Sequence, residues 1–286
     1  MVTAVKLLKN FKQIKTLPHI AIRLTQLLGD ENTTVKNLEE VIKLDPTLIL
    51  RVLRLVNSSY YGLMQKVEKV SDAVVYLGLD NIRNMVVVEA LKDIFKQGKN
   101  GDAFSREQLW LHSAVVGICC QMISERMFSQ KGEDAFLCGV LHDIGIIVED
   151  QVEPELFLRV YESCLTGKKP FMEYESELIG TTHCSVGFHL AKEWKLPAEV
   201  QNGIRHHHKL QENILPDSIP GILQLSEYIA TQMGYSAMPD TEIMLSPPLR
   251  KHIQNNVSEY KIILKDLPEE IEKAKEIYHY NEDSSV

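Results

Sequence analysis

The sequence predicts an all-α protein, a multi-helix bundle with a smaller helical unit at its N-terminal end, and three observations carry that expectation. Apolar residues recur at intervals of three and four along almost the whole chain of 286 residues, the spacing that gathers them on one helical face. Strand signals are nearly absent. A single clear linker, QGKNGD within Lys96 to Asp102, divides a short N-terminal half from a longer C-terminal one.

The elements follow in order. Behind Pro18, residues Ile20, Leu24, Leu27 and Leu28 form the stripe of a helix from Ile20 to Leu28, which Asp30 to Thr34 end. Thr33 or Thr34 can cap the next helix, whose Val35, Leu38, Val41 and Ile42 face inward until Asp45-Pro46 interrupts. Pro46 suits a first helical turn, where its missing N–H would go unbonded in any case, and it opens Thr47 to Val56. Ser71 is placed as the cap of a short helix ending at Gly78, and Asp80 as the cap of another through IRNMVVVEALKDIF. Beyond the linker, helices are expected near 106–128, 133–148, 153–165, 169–178, 183–195, 197–208, 219–233 and 248–256. A last amphipathic stretch, Leu267 to Tyr278, precedes a polar tail. The boundaries that follow are a helical unit over 1–98, a second over 103–260, and a C-terminal helix and tail over 261–286.

Composition narrows the function. A formal charge of -8 and a pI near 5.7 supply no broad cationic surface, so nucleic acid is a poor default partner. The five cysteines, at 119, 120, 138, 164 and 184, lack zinc-ribbon or thioredoxin-like spacing and read as reduced core thiols. The N-terminal MVTAVKLLKNFKQIKTLPHI alternates apolar residues with lysines and has no continuous apolar run or small-residue cleavage site, unlike a secretory signal. No stretch approaches the roughly 18 apolar residues that a membrane-spanning helix needs, and the expected compartment is the cytoplasm.

The histidines are the informative residues. His112 is followed by Val115, Val116, Cys119, Cys120 and Ile123 on one helical stripe, and His183 by Val186, Gly187, Leu190, Ala191 and Trp194 at the same offsets. Both imidazoles therefore point into the core. In AFLCGVLHDIGIIV the adjacent pair His142-Asp143 interrupts an otherwise apolar run from Ala135 to Val148. A buried polar group left unpaired costs roughly 1–3 kcal/mol, and a buried carboxylate costs more. Something has to compensate that pair. One answer is a divalent cation, since imidazole and carboxylate on converging helices suit Zn, Mn or Fe; the other is a buried hydrogen-bonded pair among unrelated core histidines. His207 and His208, within IRHHHK, and Glu227, in the apolar helix GILQLSEYIA, are placed to complete a metal set. His19, His189, His252 and His279 read as surface or helix-edge residues.

Over about residues 15–235 these motifs resemble the HDOD domain, a relative of the HD and HD-GYP metal-dependent phosphohydrolases. IKLDPTLILRVLRLVNSSYYG (Ile42 to Gly62) and VSDAVVYLGLDNIRNMVV (Val70 to Val87) are similar to the family's N-terminal signatures. LWLHS, FLCGVLHDIG, GTTHCSVGFHLAKEWKLP and IRHHH follow in the family's order. The resemblance implies a bundle of the HD-domain type and, residue by residue, metal ligands at His112, His142, Asp143, His183, His207 and His208. Glu227 stands where the family's last ligand, an aspartate, is usual. Three positions depart from active HD-GYP relatives: Ile146 replaces a phosphate-binding lysine, Gln108 a carboxylate one turn before the first histidine, and KLQENILPD the GYP segment. In the N-terminal half, Asp45, Arg51 and Asn57 fall on short helices joined by Pro46 and Gly62; Asp45 with Arg51 or Arg54 reads as the pair that fixes how those helices meet, and Tyr60 and Tyr61 as packing residues.

Two functions remain open on this reading. The resemblance implies a bacterial signal-transduction output module, with a signalling protein as partner and a small nucleotide as a further candidate ligand, whose HD centre is structural or senses a ligand. The alternative is a metal-dependent phosphohydrolase acting on a nucleotide or phosphodiester, with His142 and Asp143 central and one or two divalent cations activating water. Iron-based metal or redox sensing at the same ligands, suggested by Cys138 and Cys184, is a third.

Overall fold

Helix Arg106–Phe128 buries residues around its whole circumference, among them Leu109, Trp110, Val115, Ile118, Met122 and Ile123, and such a helix has to be surrounded by others. The structure, a computed structural model, describes residues 3–14, 34, 36, 37, 40, 46–58, 61–96, 104–167, 169–238 and 243–278. Every regular element among these is a helix. In chain order they are α1 (Ala4–Ile14), α2 (Pro46–Val56), α3 (Val70–Leu77), α4 (Leu79–Lys96), α5 (Arg106–Phe128), α6 (Glu133–Leu141), α7 (Ile144–Val152), α8 (Pro154–Thr166), α9 (Phe171–Leu178), α10 (His183–Glu193), α11 (Ala198–His206), α12 (Ile219–Gln232), α13 (Pro247–Asn255) and α14 (Val257–Tyr278). The expected helix from Ile20 to Leu28, most of that over Val35 to Ile42, Asp45, Tyr60, the linker beyond Lys96, His19, His279 and the polar tail lie outside the described residues.

α2, α3 and α4 pack on one another as the small N-terminal unit, and α4 leans on α5 and α6. Pro46 opens α2, as its lack of an N–H requires. Asn57 closes it: its Nδ2 donates to the Leu53 and Val67 carbonyls at 2.7 and 2.8 Å, and the Val67 N–H donates back to Oδ1 at 2.7 Å. That side chain fixes how α2 meets the following loop. Thr34 also caps as expected, its hydroxyl accepting from the Asn37 N–H at 3.3 Å. Ser71 and Asp80 do not cap. α3 begins at Val70 behind Lys69, and α4 begins one residue after Gly78, whose φ of +82° turns the chain without a Cβ to clash.

Around α5, the C-terminal unit is drawn in closely. α6 crosses α5 at backbone contact, since a Cβ on Gly139 would lie 2.7 Å from the Gly117 Cα. α12 and α14 cover other sides of α5, α10 pairs with α11 and α7, and α11 reaches α6 and α12. α14 starts ten residues before the Leu267 expected for it and runs through Pro268; its buried stripe is Tyr260, Ile263, Leu267 and Ile271.

Two further expectations are corrected. The segment expected as one helix over 133–148 is two, α6 and α7, broken at His142-Asp143. The N-terminal segment forms α1, with Ala4, Leu7, Leu8 and Phe11 buried at helical spacing beneath exposed lysines, and it packs against α7 and α10.

Candidate metal centre

Four imidazoles converge on one carboxylate. His112 comes from the middle of α5, His142 and Asp143 from the α6–α7 break, His183 from the first residue of α10, His207 from the end of α11 and Glu227 from α12. All six are buried. The break at 142 is what allows two sequence neighbours to share a target, because consecutive residues of a continuous helix point about 100° apart. Asp143 adopts φ -99°, ψ 10°, outside the helix, and the Ile146 N–H donates to its carbonyl at 3.0 Å, so the turn is closed locally.

The ring orientations are fixed from behind. His112 Nδ1 lies 2.5 Å from the Tyr235 carbonyl, His142 Nδ1 2.6 Å from the Gly139 carbonyl and His207 Nδ1 2.8 Å from the Ile204 carbonyl. His183 Nδ1 lies 2.8 and 2.9 Å from the two Glu175 oxygens. A neutral imidazole has one N–H, and with an oxygen acceptor beside each of these Nδ1 atoms the neutral ring keeps it there and presents Nε2 as a bare lone pair. Those lone pairs face inward in two pairs, His112 with His142 and His183 with His207, each 3.2 Å apart. Asp143 divides its oxygens between the pairs. Oδ2 is 3.6 Å from His112 Nε2 and 3.3 Å from His142 Nε2, while Oδ1 is 3.5 Å from both His183 and His207 Nε2.

His208 is half-buried beside the second pair, with Nδ1 3.7 Å from Glu227 Oε1. Asp143 Oδ1 and Glu227 Oε2 are enclosed without any hydrogen-bond donor. Lone pairs facing lone pairs around two under-satisfied carboxylates is an arrangement that repels itself until positive charge enters. Oxygen and imidazole-nitrogen donors within one ligand shell of each other suit a divalent transition ion, so these residues fit the cation that the motifs imply. The donors form one group of His112, His142 and Glu227 and another of His183, Cys184, His207 and His208, with Asp143 between them.

Comparison with known proteins settles the family. The HDOD domain profile matches residues 14–210, more than half of the chain. The chain belongs to the HDOD family. An HDOD domain protein of unknown function from Geobacter sulfurreducens has the same fold at 26% identity, with a TM-score of 0.70 and 95% of each chain covered. A candidate phosphohydrolase from Shewanella amazonensis is alike at 26% identity, with a TM-score of 0.69 and the same coverage. An uncharacterized protein of Treponema pallidum is 24% identical over 208 residues, and the chain spans only 40% of that relative's length.

In this HDOD protein the electrostatics follow from enclosure. Burial and the neighbouring His142 lower His112 to about 4. Burial alone would lower His142 too, but the Asp143 carboxylate overrides it and raises His142 to about 9. Burial likewise works to raise Asp143, and the surrounding imidazoles hold it well below the usual carboxylate range. In the absence of a metal ion, then, the centre takes a proton on His142. Burial lowers His183 and His208 and raises Glu227.

The structure brings together the seven residues singled out from the sequence, with Cys184 beside them, and the sequence reading missed what supports them. Glu175, fully buried on α9, accepts from both the His183 backbone N–H, at 3.1 Å, and its ring. Its signal was present as the stripe Phe171, Glu175, Ile179. Glu149 on α7 lies behind Glu175 with both oxygens enclosed and no donor; burial and the Glu175 charge raise it, so it holds a proton that Glu175 can accept. Tyr235 contributes a carbonyl, which no pattern of side chains reveals. Gly234, at φ +86°, makes the turn that brings it back over α5.

The centre opens into a cleft of about 330 Å³, counting its open mouth, lined by His112, Asp143, His183, His208 and Glu227 together with Ile146, Phe171 and Met238. No lysine or arginine is among the lining residues. Ile146 stands at the wall, where a phosphate-binding lysine was expected in an active relative. Gln108 turns away, its Nε2 donating to the Ser236 carbonyl at 3.3 Å. His189 and His252 are at intermediate depth, His252 stacked on Phe128. All five cysteines are free and buried. No helix among the described residues is long and apolar enough to cross a membrane.

Proposed function

We propose that this HDOD protein is a regulatory output module of bacterial signal transduction whose HD centre holds one or two divalent cations for structure or sensing. His112, His142 and Glu227 form one half of the ligand set, His183, His207 and His208 the other, and Asp143 serves both. The observation that carries this reading is the pairing of a converged donor set with a cleft whose described lining residues include no lysine or arginine to hold a phosphate. A signalling protein is the natural partner of such a module, reached through the helical body, and a small nucleotide is a candidate ligand for the cleft. The acidic balance disfavours nucleic acid.

A second reading, metal-dependent phosphohydrolysis, draws support from the access that the cleft gives to Asp143 and His208. A bound cation would supply Lewis acidity and an activated water there. His142 and Asp143 would be the residues nearest the chemistry, and the carbonyl and Glu175 contacts would hold the rings in register.

A turnover screen separates the two. The protein, loaded separately with Zn, Mn and Fe(II), is offered phosphomonoesters, cyclic dinucleotides and nucleotide phosphodiesters, beside His142→Ala. Metal retention with no turnover is the result expected. Turnover that disappears in His142→Ala would establish the hydrolase and overturn the output-module reading.

A further inference from the structure

One side chain at the centre belongs to neither reading's ligand set. Cys184, the second residue of α10, is 3% exposed and places Sγ 3.4 Å from His183 Nε2 and 3.8 Å from both ring nitrogens of His207. The sulfur thus sits beside the two lone pairs that face each other at 3.2 Å. A tetrahedral ion with metal–nitrogen bonds of about 2.0–2.1 Å and a metal–sulfur bond of about 2.3 Å has edges of roughly 3.3 Å between nitrogens and roughly 3.6 Å between nitrogen and sulfur. The observed 3.2, 3.4 and 3.8 Å separations bracket those edges. Asp143 Oδ1, buried and without a donor, lies 3.5 Å from each of the same nitrogens and supplies a fourth corner.

We propose that Cys184 is a thiolate ligand, so that the second metal position is a mixed sulfur, nitrogen and oxygen site built from Cys184, His183, His207 and Asp143. This inference rests on the cation centre proposed above and adds to it a soft donor. Binding exchanges the Cys184 S–H proton, released to solvent, for a metal–sulfur bond, and nothing is oxidised or reduced. Burial and the nearby Glu175 and Asp143 carboxylates keep the metal-free thiol protonated, and coordination to a cation is what deprotonates it. A thiolate beside imidazoles selects Zn or Fe(II) over Mn and Mg, which prefer oxygen. His208 flanks the position on the Glu227 side and is left to complete the coordination or to meet a ligand in the cleft.

X-ray absorption at the zinc edge of the Zn-loaded full chain, with optical spectra of the Co(II)-loaded protein, tests this without any assay of activity. The expected result is a sulfur scatterer at about 2.3 Å and a near-ultraviolet thiolate-to-cobalt charge-transfer band. Both should vanish in Cys184→Ser and persist in Cys164→Ala, whose thiol lies on α8 away from the cleft. Zn affinity should fall in Cys184→Ser by more than the roughly tenfold that losing an outer partner of a ligand costs, with Mn affinity little changed. A bound metal surrounded only by nitrogen and oxygen would overturn the thiolate and leave the cation centre standing. Failure of the wild type to take up Zn or Co would overturn both. If Cys184→Ser does not fold, by circular dichroism, the wild-type absorption spectrum alone decides.

Discussion

Glu175 shows how far a single residue can govern this centre without being a ligand. Both its oxygens hold the His183 ring, and Glu149 behind it keeps a proton that Glu175 can accept. Outer partners of this kind orient a ligating imidazole and raise its basicity. Glu175→Gln keeps one acceptor and replaces the other oxygen with an NH2 that cannot accept; metal affinity is expected to drop about 10–100-fold with the fold intact, measured by competition against a chelating dye. At the same scale, metal has to displace the proton that Asp143 holds on His142 near a pKa of about 9. Below that value the proton competes, and the Cys184 thiol gives up a second, so apparent affinity should rise by at least about tenfold per pH unit from 6 toward 9, with proton release seen by calorimetry in buffers of different ionisation enthalpy. The inward histidines were legible because each sits on an apolar stripe with a fixed period, and so was Glu227. Glu175 lies on such a stripe as well, but among Glu173, Ser176 and Glu177 it reads as one more polar residue of an ordinary amphipathic helix until its partner, eight residues later, is seen in space.

At the scale of elements, the break between α6 and α7 determines the site, and it was not legible. Ala135 to Val148 has no proline, and its turn-forming residues, Gly139, Asp143 and Gly145, stand singly in an apolar run, so local preference favours one helix. Tertiary contact decides otherwise. Gly145 packs directly on the backbone at the start of α10, where an added Cβ would lie 2.1 Å from the His183 carbonyl oxygen. That contact brings His142-Asp143 and His183 to the same point. Gly145→Ala is expected to cost about 1–3 kcal/mol through overpacking and, because α7 and α10 must separate, to weaken metal binding as well; urea unfolding and metal titration check the two effects separately. α1 was missed for a different reason: its alternation of apolar residues with lysines was weighed only against a secretory signal, while four apolar residues on one face bury against α7 and α10. The helices at 106–128, 154–166, 171–178 and 219–232 were anticipated to within two residues at each end because caps and prolines mark them.

For the whole molecule, the centre draws α5, the α6–α7 junction, α10, α11 and α12 together, so a cation bound there is held by most of the C-terminal unit. We propose the unit boundaries at 1–98, 103–260 and 261–286 on linker composition, with the addition that α1 packs on helices of the second unit. A ligand that binds only the folded state stabilises it by about 2.7 kcal/mol at a hundred times its Kd. Chelation should therefore lower Tm by roughly 5–10 °C, reversibly on adding metal back, in a thermal scan at fixed protein concentration. The all-α class followed from periodicity alone, whereas the convergence of distant helices on Asp143 required the fold itself. The most direct test of that convergence is elemental analysis of protein purified without added metal or chelator, compared with Asp143→Ala shown to be folded by circular dichroism. One or two equivalents of transition metal in the wild type and close to none in the variant is the result expected; a metal-free wild type that also refuses Zn, Mn and Fe(II), or equal metal in both proteins, would contradict it.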